Sequence, residues 1–258
     1  MAGITFSTAI LTEKHQRRQN EDYADYLWLE GCGCWVVADG LGGHAGGEVA
    51  SKLAVETIIS SFTSHREFSV AAITGYLEGA QAALEQRQEE EPRLSEMRTT
   101  IVLLVAGAEG ARWAHVGDSR LYHFRQGRII SQTKDHSVPQ SLANAGEIKA
   151  EDIRFHEDRH RLLRALGQEG DLRPAILKER QPLELGDAFL LCTDGFWEMV
   201  LETEMAADLG RAATPEGWLQ SMQARILARS AQDTNRQHDN FTAMAVFVQA
   251  ANRQPVVL

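Results

Sequence analysis

The sequence predicts an α+β fold, a four-layer α-β-β-α sandwich in which two antiparallel sheets stack and helices flank each. Two observations carry the prediction. Strand-like and helix-like segments come in runs rather than in the strict alternation of a parallel sheet. Several strands are also almost wholly apolar, as in "WVVA" and "IVLLVAG", and two stacked sheets flanked by helix pairs would bury them. At 258 residues, 43% hydrophobic and 24% charged, the chain can bury a substantial core, and a single domain over residues 1–258 is expected.

In chain order, residues 4–11 and 26–38 read as strands. "GGEVASKLAVETIISSF" then takes up helical spacing over about 46–62, and a second amphipathic helix follows at about 69–88. The stretch "EQRQEEEPRLSEM" reads as a charged turn. Three strand-like runs come next, "TTIVLLVAG", "ARWAHVG" and "RLYHFRQG". A polar segment rich in histidine and arginine, about 137–175, interrupts the pattern before the strand in "DAFLLCTDG". Helices over about 202–230 lead into the last strand, "FTAMAVFVQ". No repeat, low-complexity tract or Pro- or Ser-rich linker divides the chain.

Composition excludes several functions. A net charge of −10 and a pI near 5.4 disfavour a nucleic-acid surface, which needs clustered Lys and Arg. No stretch approaches the roughly 20 apolar residues that span a bilayer, so no membrane partner is expected. Residues 1–12 lack a basic region and a cleavage-like site, so no signal peptide is expected and a cytoplasmic location follows. Cys32, Cys34 and Cys192 form no metal or redox spacing and read as reduced packing residues.

The chemistry starts at "VVADGLGGHAGGEVAS", where Asp39 follows an apolar strand and five glycines follow Asp39. The loop lacks the Gly-Lys-Ser/Thr of a P-loop and the spacing of a dinucleotide fingerprint. Alone, Asp39 is a turn aspartate. It is not alone: Asp118 ends "WAHVGD", Asp194 ends "LLCTD", and Asp239 precedes the final strand. In two antiparallel sheets those strand ends can meet at one edge. Gathered carboxylates repel unless divalent cations compensate, and all-oxygen ligands favour Mg²⁺ or Mn²⁺ over zinc or copper, whose preferred His and Cys this cluster lacks. Two such ions can hold a bridging water as nucleophile toward phosphorus. A structural Ca²⁺ is the alternative, although the ligands are scattered rather than packed in one loop. In "RRQNEDY", Arg17, Arg18, Glu21 and Asp22 form either a solvated turn or a phosphate grip beside the ions. His44 is either a loop histidine or a proton donor to a leaving alkoxide.

"RRQNED", "VVADGLGGHAGGEVAS", "AHVGDSRLY", "QTKDHS", "RLLRALG", "LCTDGFWE" and "HDNFTAMAV" occur in the order seen in the metal-dependent Ser/Thr protein phosphatases of type 2C. The resemblance runs from about residue 5 to 249, and it is to the stand-alone bacterial members. It implies that Asp39 bridges two metals, with the Gly40 carbonyl on the second and Glu21 reaching that ion through a water. Asp194 and Asp239 would complete the first metal, and Asp118 with Asp194 would hold a third, weaker one. Arg17 matches the phosphate-binding arginine and His44 the general acid, while Asn240 and Ser119 would orient Asp239 and Asp118. The implied fold is the same flanked sandwich.

There are departures. Lys14 stands where the family has a glycine before Arg17, which bears on the turn into the site. In "HEDRHRLLRALG", His160 replaces the usual asparagine and Leu163 the usual threonine. Both fall in or beside the segment that is a mobile flap in bacterial relatives, within about 137–175, and bear on flap position and substrate choice. The expected function is removal of phosphate from serine and threonine of a protein by a metal-bridging hydroxide, without a phosphoenzyme, using two Mn²⁺ or Mg²⁺ ions. The expected partner is a phosphoprotein that is the target of a Ser/Thr kinase, or the kinase itself. A non-catalytic pseudophosphatase that binds a partner and a small-molecule phosphomonoesterase are the rivals.

Overall fold

A computed structural model describes residues 3–29, 31–42, 46–233 and 238–251. The N-terminal half runs β1 (Ile4–Glu13), β2 (Asp22–Leu29), β3 (Cys32–Leu41), α1 (Gly46–His65) and α2 (Val70–Glu90). Next come β4 (Arg98–Thr99), β5 (Ile101–Gly107), β6 (Gly110–Val116), β7 (Arg120–Arg125), β8 (Arg128–Gln132) and α3 (Val138–Ala145). The remainder is β9 (Ala175–Ile176), β10 (Ala188–Cys192), α4 (Asp194–Trp197), α5 (Glu202–Leu209), α6 (Pro215–Gln232) and β11 (Phe241–Ala250).

One sheet has the order β1-β11-β10-β7-β8 and the other β2-β3-β5-β6-β9, with β4 paired to the end of β3. All pairings within them are antiparallel. The apolar run of β3 divides by the two-residue period of a strand. Trp35 and Val37 join Val102, Leu104, Leu191, Met244 and Val246 in the layer between the sheets. Cys34, Val36 and Ala38 pack instead with Ala54, Ile58 and Leu77 of the α1–α2 pair. On the far side Leu190, Cys192 and Ala243 pack with Trp218, Met222 and Ile226, under α6. Both faces of each central strand are therefore covered, which is why the sequence shows continuous rather than alternating hydrophobicity. Each Val, Leu or Met so buried contributes about 1.5–3 kcal/mol. The four-layer α-β-β-α sandwich is as the sequence predicts.

Local chemistry sets the helix ends. Ser69 caps α2 by accepting from Ala72 N–H at 3.1 Å, and Thr214 caps α6 by accepting from Gly217 N–H, with Pro215 in the first turn.

Several elements differ from the sequence expectation. The strand read at 26–38 is two strands, β2 and β3, folded into a hairpin. β3 runs on to Leu41, so Asp39 lies within a strand rather than at its end. α2 extends to Glu90, so half of the supposed charged turn is helix, and β8 was not anticipated. The segment 137–175 holds α3, a 3-10 turn at Ala150–Phe155 and the start of β9. Isolated bridges Ser137↔Leu162 and Thr99↔Leu166 tie it back on itself and to the core. Among the described residues, no helix is long and apolar enough to cross a membrane.

Candidate active site

Strands β2, β3, β10 and β11 and the turn after β6 bring their carboxylates to one cleft. Arg17, Glu21, Asp39, Gly40, Asp118, Asp194 and Asp239 line it, together with His160, Leu162 and Asn240. Of the eight residues to which the family resemblance gives a metal, phosphate or proton-donor role, seven thus meet there, and the eighth, His44, lies outside the described residues.

Asp39 is held by its backbone. Its N–H donates to Thr100 Oγ1 at 3.1 Å, and its carbonyl accepts from Thr100 N–H at 2.9 Å and Thr99 Oγ1 at 2.8 Å. Thr100 Oγ1 also shares a 2.7 Å hydrogen bond with Ser119 Oγ, which couples the Asp39 strand to the Asp118 turn. Ser119 therefore acts through Thr100. Trp197 Nε1, at the end of α4, donates to the Asp118 carbonyl at 3.0 Å and ties that turn to the helix that begins with Asp194.

The glycines explain how backbones come so close. A Cβ on Gly40 would meet Gly47 O at 2.0 Å and Glu21 O at 2.6 Å, so only glycine lets α1 start against this strand. A Cβ on Gly195 would meet Asn240 O at 1.9 Å. That approach places the start of α4, with Asp194, beside Asp239 at the start of β11.

Asn240 has a wider role than the one expected. Its own N–H donates to Asp239 Oδ1 at 2.8 Å, but its side chain holds the 14–21 loop. Asn240 Oδ1 accepts from Glu21 N–H, and Nδ2 donates to Lys14 O and Gln19 O, all at 2.9 Å. That loop carries Arg17, whose Nη2 donates to Asp239 Oδ2 at 2.7 Å. The turn after Lys14 passes through His15 at φ +49°, a left-handed conformation rare outside glycine. The His15 ring packs on His238 and Phe241, with centroids 5.3 and 5.5 Å away.

The electrostatics are those of a carboxylate cluster without counter-ions. Burial, then Asp22, Asp194, Asp118 and Asp239 in turn, push Asp39 well above the ordinary carboxylate range. Burial and Asp194 do the same to Asp118. Burial also raises Glu21, against the pull of Arg17. Asp194 goes the other way: burial opposes its charge, but His160 beside it, a hydrogen bond from Asp39 and the Gly195 N–H outweigh it. The two neighbours are thus pushed in opposite directions, Asp39 toward its neutral form and Asp194 toward its charged one.

Sequence reasoning placed Asp22 in the charged turn with Arg17 and did not count it among the clustered carboxylates. It sits opposite Asp39 across the β2–β3 hairpin and is 6% exposed. Thr193 Oγ1 donates to its Oδ2 at 2.9 Å, while Oδ1 is buried with no hydrogen-bond partner among the described residues. Recognising the turn signal of Gly31, at φ +93°, would have paired Asp22 with Asp39. The second correction is His160. The cluster does not lack a histidine: His160 Nδ1 lies 3.5 Å from Asp194 Oδ2, and that carboxylate raises the imidazole above its ordinary range.

Comparison with known proteins identifies the family. The sequence profile described as "Protein phosphatase 2C" matches residues 13–237. The serine/threonine phosphatase stp of Listeria monocytogenes serotype 4b is 35% identical over 175 residues, 66% of this chain and 69% of that one. PppA of Pseudomonas aeruginosa, described as a key regulatory component of T6SS, superposes with a TM-score of 0.70 at 31% identity, covering 96% of this chain and all of that one. The catalytic domain of the phosphatase PstP, solved with two manganese ions, superposes at 0.77 and 25% identity, over 95% and 99% of the two chains. The chain belongs to the protein phosphatase 2C family, the metal-dependent serine/threonine phosphatases.

Proposed function

We propose that the chain hydrolyses phosphoserine and phosphothreonine in proteins at this cleft. The observation that carries the reading is the crowding of Asp22, Asp39, Asp118, Asp194 and Asp239, all but Asp22 lining the cleft that Arg17 also lines. A buried Asp22 oxygen with no donor and carboxylates raised by burial and mutual repulsion mark a cluster that suits divalent cations. Oxygen donors fit Mn²⁺ or Mg²⁺: Asp39, Asp194 and Asp239 would hold one ion, Asp39, the Gly40 carbonyl and Glu21 a second, and Asp118 with Asp194 a weaker third. When bound, the ions would supply Lewis-acid activation of water toward phosphorus, and on this reading no phosphoenzyme is needed.

The chain's own residues do the rest. Arg17 offers the planar fork that suits phosphate oxygens, held in place by Asp239 and by the loop that Asn240 pins. His44 is assigned the proton for the departing side-chain oxygen. Asp22 stays behind the ligands, its carboxylate fixed by Thr193. The substrate is a phosphoprotein made by a Ser/Thr kinase, and the three buried, unpaired cysteines accord with work in the reducing cytoplasm.

A phosphothreonine peptide and free phosphothreonine, each given with Mn²⁺, separate this reading from its rivals. The protein phosphatase reading expects much faster turnover of the peptide, since contacts remote from phosphorus then contribute. Equal turnover of both points to a small-molecule phosphomonoesterase. Metal binding without turnover of either points to a binding module.

A further inference from the structure

The replacement of the family's asparagine by His160 places an imidazole against a helix that presents two carboxylates. Glu198 N–H donates to Asp194 O at 2.9 Å, one α-helical turn, and this i, i+4 spacing puts both carboxylates on one face. His160 approaches that face from the segment 137–175. One donor atom from each of His160, Asp194 and Glu198 lies within 4.8 Å of the others.

The His160–Asp194 distance is informative. At 3.5 Å, Nδ1 and Oδ2 are farther apart than a good charge-assisted hydrogen bond, about 2.7–2.9 Å. Two donors on one tetrahedral zinc, each about 2.1 Å from the ion, are about 3.4 Å apart. Zinc accepts both imidazole nitrogen and carboxylate oxygen, and a set that includes an imidazole differs in kind from the all-oxygen cluster deeper in the cleft.

We infer that His160, Asp194 and Glu198 form a site for a borderline transition-metal dication, zinc by preference, distinct from the carboxylate-only positions. The ion would join the 137–175 segment to the core helix. It would compete with Arg159, whose Nε lies 3.1 Å from Glu198 Oε1, and it would draw Asp194 away from the ligand set proposed for catalysis. Zinc should therefore inhibit Mn²⁺-supported turnover through His160.

The test compares the native chain with His160→Asn, which restores the residue usual in the family, and with Glu198→Gln. Zinc bound per chain is counted by equilibrium dialysis in the presence of Mn²⁺, and zinc-edge X-ray absorption reports whether an imidazole is a ligand. The native chain should bind one more zinc than His160→Asn, and the imidazole signature should vanish in that variant. Glu198→Gln should keep the imidazole signature but bind more weakly. Half-inhibition by zinc should need at least about 10-fold more metal in His160→Asn. Equal zinc counts with the imidazole signature intact in His160→Asn would overturn the site, as would native zinc bound without imidazole. Counting zinc needs no turnover, so this outcome is independent of whether the chain proves to be a phosphatase.

Discussion

Replacing Asn240 with alanine should loosen the loop that carries Arg17 and Glu21 without touching a proposed metal ligand. The side chain makes three hydrogen bonds, to Glu21 N–H, Lys14 O and Gln19 O, each 2.9 Å. At a net of about 0.5–1.5 kcal/mol each, their loss costs about 1.5–4.5 kcal/mol. Lys14 and Gln19 are exposed, so water can satisfy their carbonyls and the lower half of that range applies, about 2 kcal/mol. For a chain of this size that lowers Tm by about 4–8 °C. The same change frees Arg17 from its position over Asp239, so KM for a phosphopeptide should rise. Thermal unfolding followed by circular dichroism and steady-state kinetics, both with saturating Mn²⁺, measure the two effects. A Tm within 1 °C of native, about measurement error on that scale, with unchanged KM would refute the idea that Asn240 anchors the loop.

Three further outcomes are expected. Arg17→Lys should lower kcat/KM for a phosphothreonine peptide by about 10- to 100-fold, the value of one to two charge-assisted hydrogen bonds that an ammonium cannot reproduce in the same geometry; an unchanged ratio removes Arg17 from phosphate binding. Gly195→Ala puts a Cβ 1.9 Å from Asn240 O, and urea unfolding should show a loss of about 3 kcal/mol along with weaker Mn²⁺ binding. Burial chiefly, and then Asp194 and Asp239 against hydrogen bonds from Thr242 and Thr193, raise Asp22 from 3.8 to about 8 in the metal-free chain. The folded state then keeps a proton that the unfolded state has lost, so metal-free stability should fall as pH rises from 3.8 to about 8, and Asp22→Asn should flatten that slope. Equal stability of the chelated native chain at both ends of that window contradicts the assignment.

The layers of this fold were legible because hydrophobic period survives in the sequence: Trp35 and Val37 on one face of β3, Val36 and Ala38 on the other. What escaped was decided by pairing. The β2–β3 hairpin turns beside Gly31, at φ +93°, a glycine signal that the continuous strand reading passed over, and missing it hid Asp22 opposite Asp39. β8 is only five residues, RIISQ, with Ile129 half-buried and Ile130 exposed, and becomes a strand through its partner β7. The carboxylates were readable as strand-end aspartates, but their meeting required knowing that β3, β10 and β11 open on one edge. His160 was visible only as a departure from a pattern, and its position beside Asp194 comes from the path of the 137–175 segment.

Phosphate release from a phosphothreonine peptide, measured for the native chain and Asp239→Asn with Mn²⁺, Mg²⁺ or chelator, tests the central claim most directly. The expected result is release that requires metal, disappears with chelator and collapses in Asp239→Asn while the variant stays folded. A well-folded native chain that releases no phosphate with either metal, or releases it equally well in chelator, contradicts a metal-dependent phosphatase at this cleft.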